Sequence, residues 1–226
     1  MIKITDTSVF GWDASIRGMR NPMNSWDKSD SYWGLKEDES PINPCDKVYF
    51  FIGENDLKLM CNLAKAGSDH AKYLRMINVT CDITAPLYWW KEFDTYKVGT
   101  VANSCSTMHK IHAKEFTLGD FSHEHLGAWR SEDGMIFSGL RGALEDTIKH
   151  LNHARNEYLR TKDKHFWWYM IQLLPSSYNQ KRTIQLNYAV LWNMYKSRKN
   201  HKLDEWREFC KWCESLPYFK EILLEG

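Results

Sequence analysis

Apolar residues recur at helical spacing over much of the chain, and this pattern predicts a mostly helical protein. The first helix is expected to have Asn55 as its cap and to end before Gly67. A long helix is predicted over about residues 137–160, and a shorter one over 164–174, where a proline stops it. Two more helices follow: one carries the polar residues discussed below, and the last covers 203–215.

The stretch after the first helix shows strand, helix and loop patterns in turn. Apolar and polar residues alternate over 79–83, which predicts a half-buried strand. Pro86 then suits the first turn of a helix that runs towards Lys97. Residues 99–106 are small and polar, and they predict a loop that lets a ligand approach the backbone.

The first fifty residues are basic and turn-rich, with such a stretch at 16–22 and a loop through 40–44. Ser68 and Asp69 are expected to open a second short helix that bears His70. The chain contains no internal repeat and no low-complexity linker. We therefore predict one α+β domain over 1–226, mostly helical around a small mixed or antiparallel sheet.

Composition excludes several classes of protein. The 226 residues carry a formal net charge of +1, so we do not expect a protein that binds mainly by neutralising nucleic-acid phosphates. No run of 18 apolar residues and no signal-type stretch is present, so we expect a cytoplasmic protein that does not enter membranes. Eleven Trp, eleven Tyr and ten Phe favour stacking on a planar ligand or large subunit interfaces, although an aromatic core gives the same composition.

The cysteines and histidines form no clear metal or redox motif. The six cysteines show no regular framework and are expected to be reduced. Cys210 and Cys213 have the spacing of a redox or zinc pair, but they fall in a helical apolar pattern that favours packing. No metal is predicted, because three histidine pairs lack an obvious third ligand: His109/His112, His123/His125 and His150/His153.

The last third of the chain carries the most distinctive polar residues. Asn187, Asn193 and Arg198 are spaced so that one helix of about three turns could carry them towards a broad pocket. Carboxamides suit the edges of a heterocycle because they both donate and accept, and a guanidinium suits an anion or a developing enolate. The same spacing is typical of a solvated helix face. The residues alone leave both interpretations open.

A set of short motifs runs through the chain in a fixed order. An arginine-rich stretch at 16–20 is followed by Ser68-Asp69-His70 and by a strand that ends Thr84-Ala85-Pro86. Asn103 and Ser106 come after an aromatic helix. The late segment continues the order without a gap at Leu174, Pro175, Asn187, Leu191, Asn193 and Arg198. In these motifs the chain resembles a divergent member of the flavin-dependent thymidylate synthase family.

The signature of that family, Arg-His-Arg-x-x-Ser-x-Asn-Glu-x-Ser-x-Arg-Tyr, is heavily altered in this chain. Lys97 is the only cation near the Arg-His-Arg, and it fits with one inserted residue. Ser104 stands at the Glu, Met108 at the Arg and His109 at the Tyr. Cys105 has no adjacent base or cation in the sequence, so packing is preferred to a nucleophilic role.

The resemblance implies an α+β homotetramer with its site between subunits, bacterial or phage-encoded, with FAD as cofactor and methylenetetrahydrofolate and NADPH as co-substrates. The implied reaction is the reductive methylation of a deoxyuridine nucleotide. Arg198 would polarise the pyrimidine as the catalytic and substrate-binding arginine, and Ser104 and Ser106 would also bind substrate. The implied cofactor-binding residues are His70, Lys97, Asn103, Asn187 and Asn193.

This chain departs from the family at positions that bind the 5′-phosphate of the nucleotide and the flavin. Met108 and Ile171 stand where the family binds the 5′-phosphate with arginines, and Ala189 replaces an arginine that serves the flavin. Each lost charge-assisted bond removes about 1.5–3 kcal/mol. The side chains that could compensate are Lys110, His112, Lys181 and Arg182. Two alternatives stay open: an enzyme that keeps flavin but acts on another pyrimidine, without a 5′-phosphate or within a longer nucleic acid, and a non-catalytic binding protein on the same scaffold.

Overall fold

The computed structural model describes residues 1–35 and 48–225, so the loop expected at 40–44 and Cys45 lie outside the described residues. The α-helices are α1 (Trp12–Arg20), α2 (Glu54–Lys65), α3 (Leu87–Phe93), α4 (Thr107–Lys110), α5 (Leu140–Thr161), α6 (Lys164–Leu173), α7 (Tyr188–Arg198), α8 (Asp204–Glu214) and α9 (Phe219–Leu223). The β-strands are β1 (Lys3–Phe10), β2 (Tyr32–Gly34), β3 (Tyr49–Phe51), β4 (Asn78–Pro86), β5 (Val101–Ser104), β6 (Trp129–Arg130), β7 (Ile136–Phe137) and β8 (Asn179–Asn187).

Strands β1, β4, β8 and β5 form a four-stranded sheet in that order. Two antiparallel pairs, β2–β3 and β6–β7, form separate two-stranded sheets. Helices make up about half of the chain around this small amount of sheet, which confirms the predicted α+β class.

The backbone falls into two compact units. One contains Met1–Thr5, Asp82–Lys97 and Ala102–Ile184, and we call it unit 1; the other, unit 2, contains the described residues of Asp6–Cys81, Val98–Val101 and Gln185–Gly226. A single domain over 1–226 stays a prediction. The core of unit 1 joins α5 and α6 to the irregular segment before them through Ile111, Phe116, Phe121, Leu144, Ile148, Leu151, Ala154 and Met170.

The core of unit 2 is rich in aromatic rings. The rings of Trp12 and Tyr188 meet edge to face at 5.4 Å, and those of Tyr188 and Phe219 at 5.6 Å. Trp206 and Phe209 of α8 are fully buried and pack edge to face at 5.6 Å. Part of the high aromatic content therefore serves the core, as the simpler interpretation of the composition allowed.

Strand β4 confirms the alternation found in the sequence, because Val79, Cys81 and Ile83 are all buried. Helix α3, which follows β4, differs from the predicted helix at both ends. Pro86 is the N-cap of α3 rather than part of its first turn, and α3 ends at Phe93 rather than running to Lys97.

Helix α2 confirms a predicted helix but not its predicted cap. Asn55 lies inside α2, and Gly53 holds the N-cap position. The carboxylate of Asp30 accepts hydrogen bonds from the backbone N–H groups of Asn55 at 2.9 Å and Asp56 at 3.1 Å. A carboxylate from an earlier segment thus accepts hydrogen bonds from backbone N–H groups of the first turn, which have no acceptor within the helix. The predicted stop is confirmed, since Gly67 follows the helix with a φ of 104°.

The basic stretch at 16–22 was wrongly predicted as turn-rich, since most of it belongs to α1. Trp12, Ile16 and Met19 are buried at intervals of four and three residues, which makes them the inner face of a helix. The basic residues and Gly18 among them obscured this spacing in the sequence.

Gly11, which precedes α1, gives a first prediction for stability. Its φ is 92°, and a Cβ at this position would overlap the carbonyl oxygen of Met76. Gly11→Ala should therefore lose about 1–2 kcal/mol from the left-handed backbone and a further amount from the overlap. Gly67→Ala is the matched control, because Gly67 has a φ of 104° and open space around it. Equal losses in urea unfolding of the two variants would contradict the prediction.

Candidate active site

A polar cavity lies in unit 1 at the junction of β5 and α4. Its volume is about 250 Å³. Its lining comes from β4, β8, the β5–α4 junction and the segment before α5: Thr84, Cys105, Ser106, Thr107, Lys114, Gly119, Asp120, Tyr178, Asn179, Gln180 and Lys181. Ser106 is the one residue of the predicted substrate and cofactor set within this lining.

The junction of β5 and α4 is fixed to strand β8 by hydrogen bonds. The backbone N–H of Cys105 donates to the carbonyl oxygen of Lys181 at 2.9 Å, and the side-chain amide of Gln180 donates to the carbonyl oxygen of Cys105 at 2.8 Å. Ser106 is the N-cap of α4, and its hydroxyl oxygen accepts from the backbone N–H of His109 at 3.0 Å. These bonds hold the residues of the altered signature at the mouth of the cavity.

Both lysines of the lining form ion pairs with carboxylates. Lys114 forms an ion pair with Asp120, and Lys181 forms one with Asp82 at 2.6 Å. Burial raises the pKa of Asp120, but hydrogen bonds from Lys114 and Thr117 outweigh this and hold the pKa below its usual value. The hydrogen bond from Lys181 likewise lowers the pKa of Asp82. Both carboxylates are therefore ionised at neutral pH.

Two uncharged groups of the wall are unusual in their surroundings. The side-chain oxygen of Asn179 is buried and has no hydrogen-bond partner among the described residues. Burial raises the pKa of the Tyr178 hydroxyl, which therefore stays protonated. A buried acceptor without a donor is uncommon in folded proteins, and it is satisfied when water or a ligand donates to it.

The segment predicted as a loop at 99–106 contains a strand instead. Asn103 and Ser104 both belong to β5, and both are exposed. Successive strand residues point to opposite faces, so these two side chains do not face one ligand together. The roles implied for them, Asn103 for the cofactor and Ser104 for the substrate, stay predictions. Cys105 is also exposed, so the preferred packing role for this thiol is wrong.

Asn187 was wrongly placed on a helix. It is the last residue of β8 and the N-cap of α7, and its side-chain oxygen accepts from the backbone N–H of Val190 at 3.1 Å. Gly99 lies against this cap, since a Cβ there would come within 3.2 Å of the Asn187 side-chain nitrogen. The cap occupies the side-chain oxygen of Asn187, and the side-chain NH₂ group remains as a donor for a ligand.

Helix α7 carries Asn193 and Arg198, as predicted, but on different faces. Tyr188, Leu191 and Met194 are buried on its inner face, and Arg198 lies seven residues after Leu191 on the same face. The guanidinium of Arg198 lies 4.8 Å from the ring centre of Trp206. Asn193 is exposed and lies about 140° round the helix from Arg198.

The remaining predicted cofactor residues are exposed. His70 precedes a 3₁₀ turn at Ala71–Arg75 in unit 2, and Lys97 follows α3 in unit 1. Exposure leaves both side chains accessible to a ligand but does not by itself identify one.

Of the side chains considered as replacements for the missing arginines, three already contact other side chains. Arg182 is 13% exposed, donates to Asp94 at 2.6 Å and lies 4.2 Å from the ring centre of Trp90. Lys181 pairs with Asp82 as described above. The His112 ring is half-buried and lies 4.9 Å from the Tyr158 ring. Lys110 is exposed on α4.

Met108 and Ile171, the two uncharged residues at the positions of the missing arginines, have different surroundings. Ile171 packs against the core of unit 1, where a charge would be costly. Met108 is 46% exposed on α4, and its carbonyl oxygen accepts from the Trp167 side chain at 3.1 Å.

Comparison with solved structures identifies the fold. Two crystal structures of Thymidylate Synthase X from Helicobacter pylori with FAD and dUMP give TM-scores of 0.65 and 0.66, at 14% and 15% identity. The matches cover 100% and 99% of this chain and 98% of each of those chains. The chain has the fold of the flavin-dependent thymidylate synthases. A UMP/dUMP methylase from Streptomyces cacaoi bound with 5-Br dUMP gives a TM-score of 0.56 at 13% identity, over 98% of this chain and 90% of that one.

Sequence comparison alone finds no such relative. No protein-family model matches the chain, and no curated protein matches it. The order of the short motifs along the chain nevertheless predicted the fold that the structure has.

The redox or zinc spacing of Cys210 and Cys213 has a structural explanation. Cys210 and Cys213 are buried in α8, and burial raises the pKa of Cys210 to about 11 and that of Cys213 well above its usual value. Neither thiol is thus activated at neutral pH. Among residues 1–35 and 48–225, no three His, Cys, Asp or Glu side chains come together as a metal site. No helix in the same part of the chain is long and apolar enough to cross a bilayer.

Proposed function

We propose that this protein is a flavin-dependent enzyme that transfers a one-carbon unit reductively to a deoxyuridine nucleotide. The observation that carries the proposal is the similarity in fold to Thymidylate Synthase X over all of this chain and 98% of that one. The gapless match of the late segment, from Leu174 to Arg198, supports it independently. Fold alone does not define function, so the proposal rests on both.

The residues proposed to hold FAD fit it by their chemistry. Asn103 and Asn193 present exposed carboxamides, which suit the polar edge of an isoalloxazine ring, and the Asn187 cap leaves the side-chain NH₂ group for the same purpose. Lys97 and His70 are exposed side chains that can carry positive charge and suit a diphosphate. When bound, reduced flavin would supply hydride, and methylenetetrahydrofolate and NADPH are the proposed co-substrates.

The protein's own contribution would be to bind and polarise the pyrimidine. The guanidinium of Arg198 is a cation that can stabilise negative charge that develops on the ring. Ser104 and Ser106 would donate hydroxyl hydrogen bonds to the nucleotide. The proposed assembly is a homotetramer with sites between subunits.

The flavin is tested first by the visible spectrum of the purified protein. We expect a flavin spectrum as isolated or after FAD is added, followed by tritium release from 5-labelled dUMP with reductant and methylenetetrahydrofolate. Riboflavin, which lacks the diphosphate, is the control for the proposed roles of Lys97 and His70. If the protein neither holds nor takes up FAD, the proposal is wrong.

A second candidate is a flavoenzyme that acts on a pyrimidine without a 5′-phosphate. The observation that favours it is the loss of charge at Met108 and Ile171 together with the pairing of Arg182 to Asp94. Thermal shifts with deoxyuridine, uridine and dUMP separate the two candidates. Stabilisation by micromolar dUMP, with little from deoxyuridine, would favour the first.

A further inference from the structure

The cavity in unit 1 is rich in hydrogen-bond donors. Two lysines and four residues with hydroxyl groups, Thr84, Ser106, Thr107 and Tyr178, belong to its lining. Its volume of about 250 Å³ is below the range of about 300–1,000 Å³ typical for a whole drug-sized ligand. The cavity therefore suits one small, electron-rich group better than an entire nucleotide.

Two acceptor side chains of the lining, those of Asp120 and Gln180, are already engaged. One oxygen of Asp120 bonds Lys114, and the other accepts from the backbone N–H of Thr117 at 2.8 Å and its hydroxyl at 3.0 Å. The side-chain oxygen of Gln180 accepts from Arg182 at 3.0 Å. A ligand in this cavity would thus meet donors rather than acceptors, apart from the buried oxygen of Asn179.

Lys114 is the cation best able to serve a ligand. Its side chain is 68% exposed, so it can move, and only one of its three N–H donors is needed for Asp120. Lys181 adds a second positive charge to the lining, although Asp82 offsets it. The two carboxylates keep the net charge of the site low, so an anion would compete with Asp120 for Lys114.

We propose that this cavity binds an oxyanion, with Lys114 as the principal cation, Lys181 as the second, and the hydroxyls of Ser106 and Thr107 as further donors. Its assignment as the 5′-phosphate of the substrate rests on the proposed function. In that role Lys114 supplies the charge that Met108 and Ile171 no longer provide. Lys181 was among the side chains named from the sequence as possible replacements for the arginines, but Lys114 and Asp120 were not, because they lie in an irregular segment without a motif.

The test measures oxyanion binding directly. Inorganic phosphate is followed by ³¹P line broadening, and dUMP and deoxyuridine are titrated by calorimetry on the full chain. Lys114→Gln should weaken phosphate and dUMP about tenfold or more and leave deoxyuridine unchanged. Lys114→Arg should retain most of the affinity. Lys91→Gln is the matched control, because Lys91 is exposed on α3 of the same unit but does not line the cavity and has no proposed role in phosphate binding.

A substitution in the opposite direction makes the test sharper. Asp120→Asn removes the carboxylate that competes for Lys114 and keeps an oxygen to accept from Thr117. It should tighten phosphate and dUMP by about threefold or more, because Lys114 is then released to the anion. A merely structural role for the Lys114–Asp120 pair predicts no gain in affinity from this change.

The outcomes separate this inference from the proposed function. No phosphate binding at millimolar concentration, or equal effects of Lys114→Gln and Lys91→Gln, would overturn the inference even if FAD is bound and tritium is released. Phosphate binding that depends on Lys114 in a protein that takes up no FAD would support the oxyanion site and reject the flavoenzyme.

Discussion

Replacing Asp56 with asparagine is expected to lower the free energy of unfolding by about 3–5 kcal/mol, a large part of the stability of most domains. Asp56 is fully buried, and one carboxylate oxygen accepts from the Nε of Arg20 at 2.6 Å. The other accepts from the hydroxyls of Ser29 at 2.7 Å and Ser31 at 2.6 Å. It also accepts from the backbone N–H groups of Asp30 at 3.2 Å and Ser31 at 3.1 Å. An amide cannot accept this set, and Arg20 would be left buried without a counter-ion.

The dependence of this loss on pH provides an independent check. Burial raises the pKa of Asp56, but hydrogen bonds from Ser31, Ser29 and Arg20 outweigh it, so the folded-state pKa is lowered. The stabilisation is then complete above the unfolded pKa of about 3.9, and it is lost as the pH falls through the lower folded value. Urea unfolding should show a large difference between wild type and Asp56→Asn at pH 7 that shrinks in acid.

Asp30→Ala is the matched control for Asp56. Asp30 is exposed and only caps α2, so its removal should cost about 1 kcal/mol. If the two substitutions cost the same, the buried network would not have the importance assigned to it. The network also gives the early arginine-rich stretch a structural role, because Arg20 of that stretch forms a buried ion pair with Asp56 in unit 2.

The helices with a clear apolar face were predictable, and strand β8 was not. Helices α5 and α8 bury residues at helical spacing, and α6 packs Trp167, Met170 and Ile171 against the core of unit 1. The observed ends of all three helices lie within three residues of the predicted ones. In β8 the inward positions include Gln180 and Arg182, and from the sequence such polar residues are expected at exposed positions. They are accommodated by partners far along the chain, since Gln180 donates to Cys105 and Arg182 stacks on Trp90. Alternation of apolar and polar residues cannot reveal such a strand.

The candidate site was predictable only where a motif marks it. Ser106 was found through the altered signature, and it does line a polar cavity. Lys114, Asp120 and Asn179 were missed, because their proximity depends on how an irregular segment meets β8 rather than on local spacing. Asn187 carried a recognisable motif position, but its role as the cap of α7 needed the strand before it to be known.

Replacing Arg198 with lysine is expected to reduce tritium release from 5-labelled dUMP by about 10²–10³-fold, if the protein is the proposed enzyme. Lysine keeps the charge but lacks the planar guanidinium, which can donate two parallel hydrogen bonds and lie flat on a ring. The guanidinium of Arg198 lies 4.8 Å from the ring centre of the buried Trp206, so its direction is fixed by α8. A flexible ammonium would not be held in this way.

Lys196 on the same helix provides the control for lost packing. Its ammonium lies 5.1 Å from the ring centre of Trp192, a comparable contact of cation and aromatic ring, and no role is proposed for it. Lys196→Ala should lower the melting temperature about as much as Arg198→Lys while leaving tritium release within about twofold of wild type. Arg198→Lys with nearly normal activity would instead assign Arg198 to packing on α8, and the polarising group of the enzyme would have to be another residue.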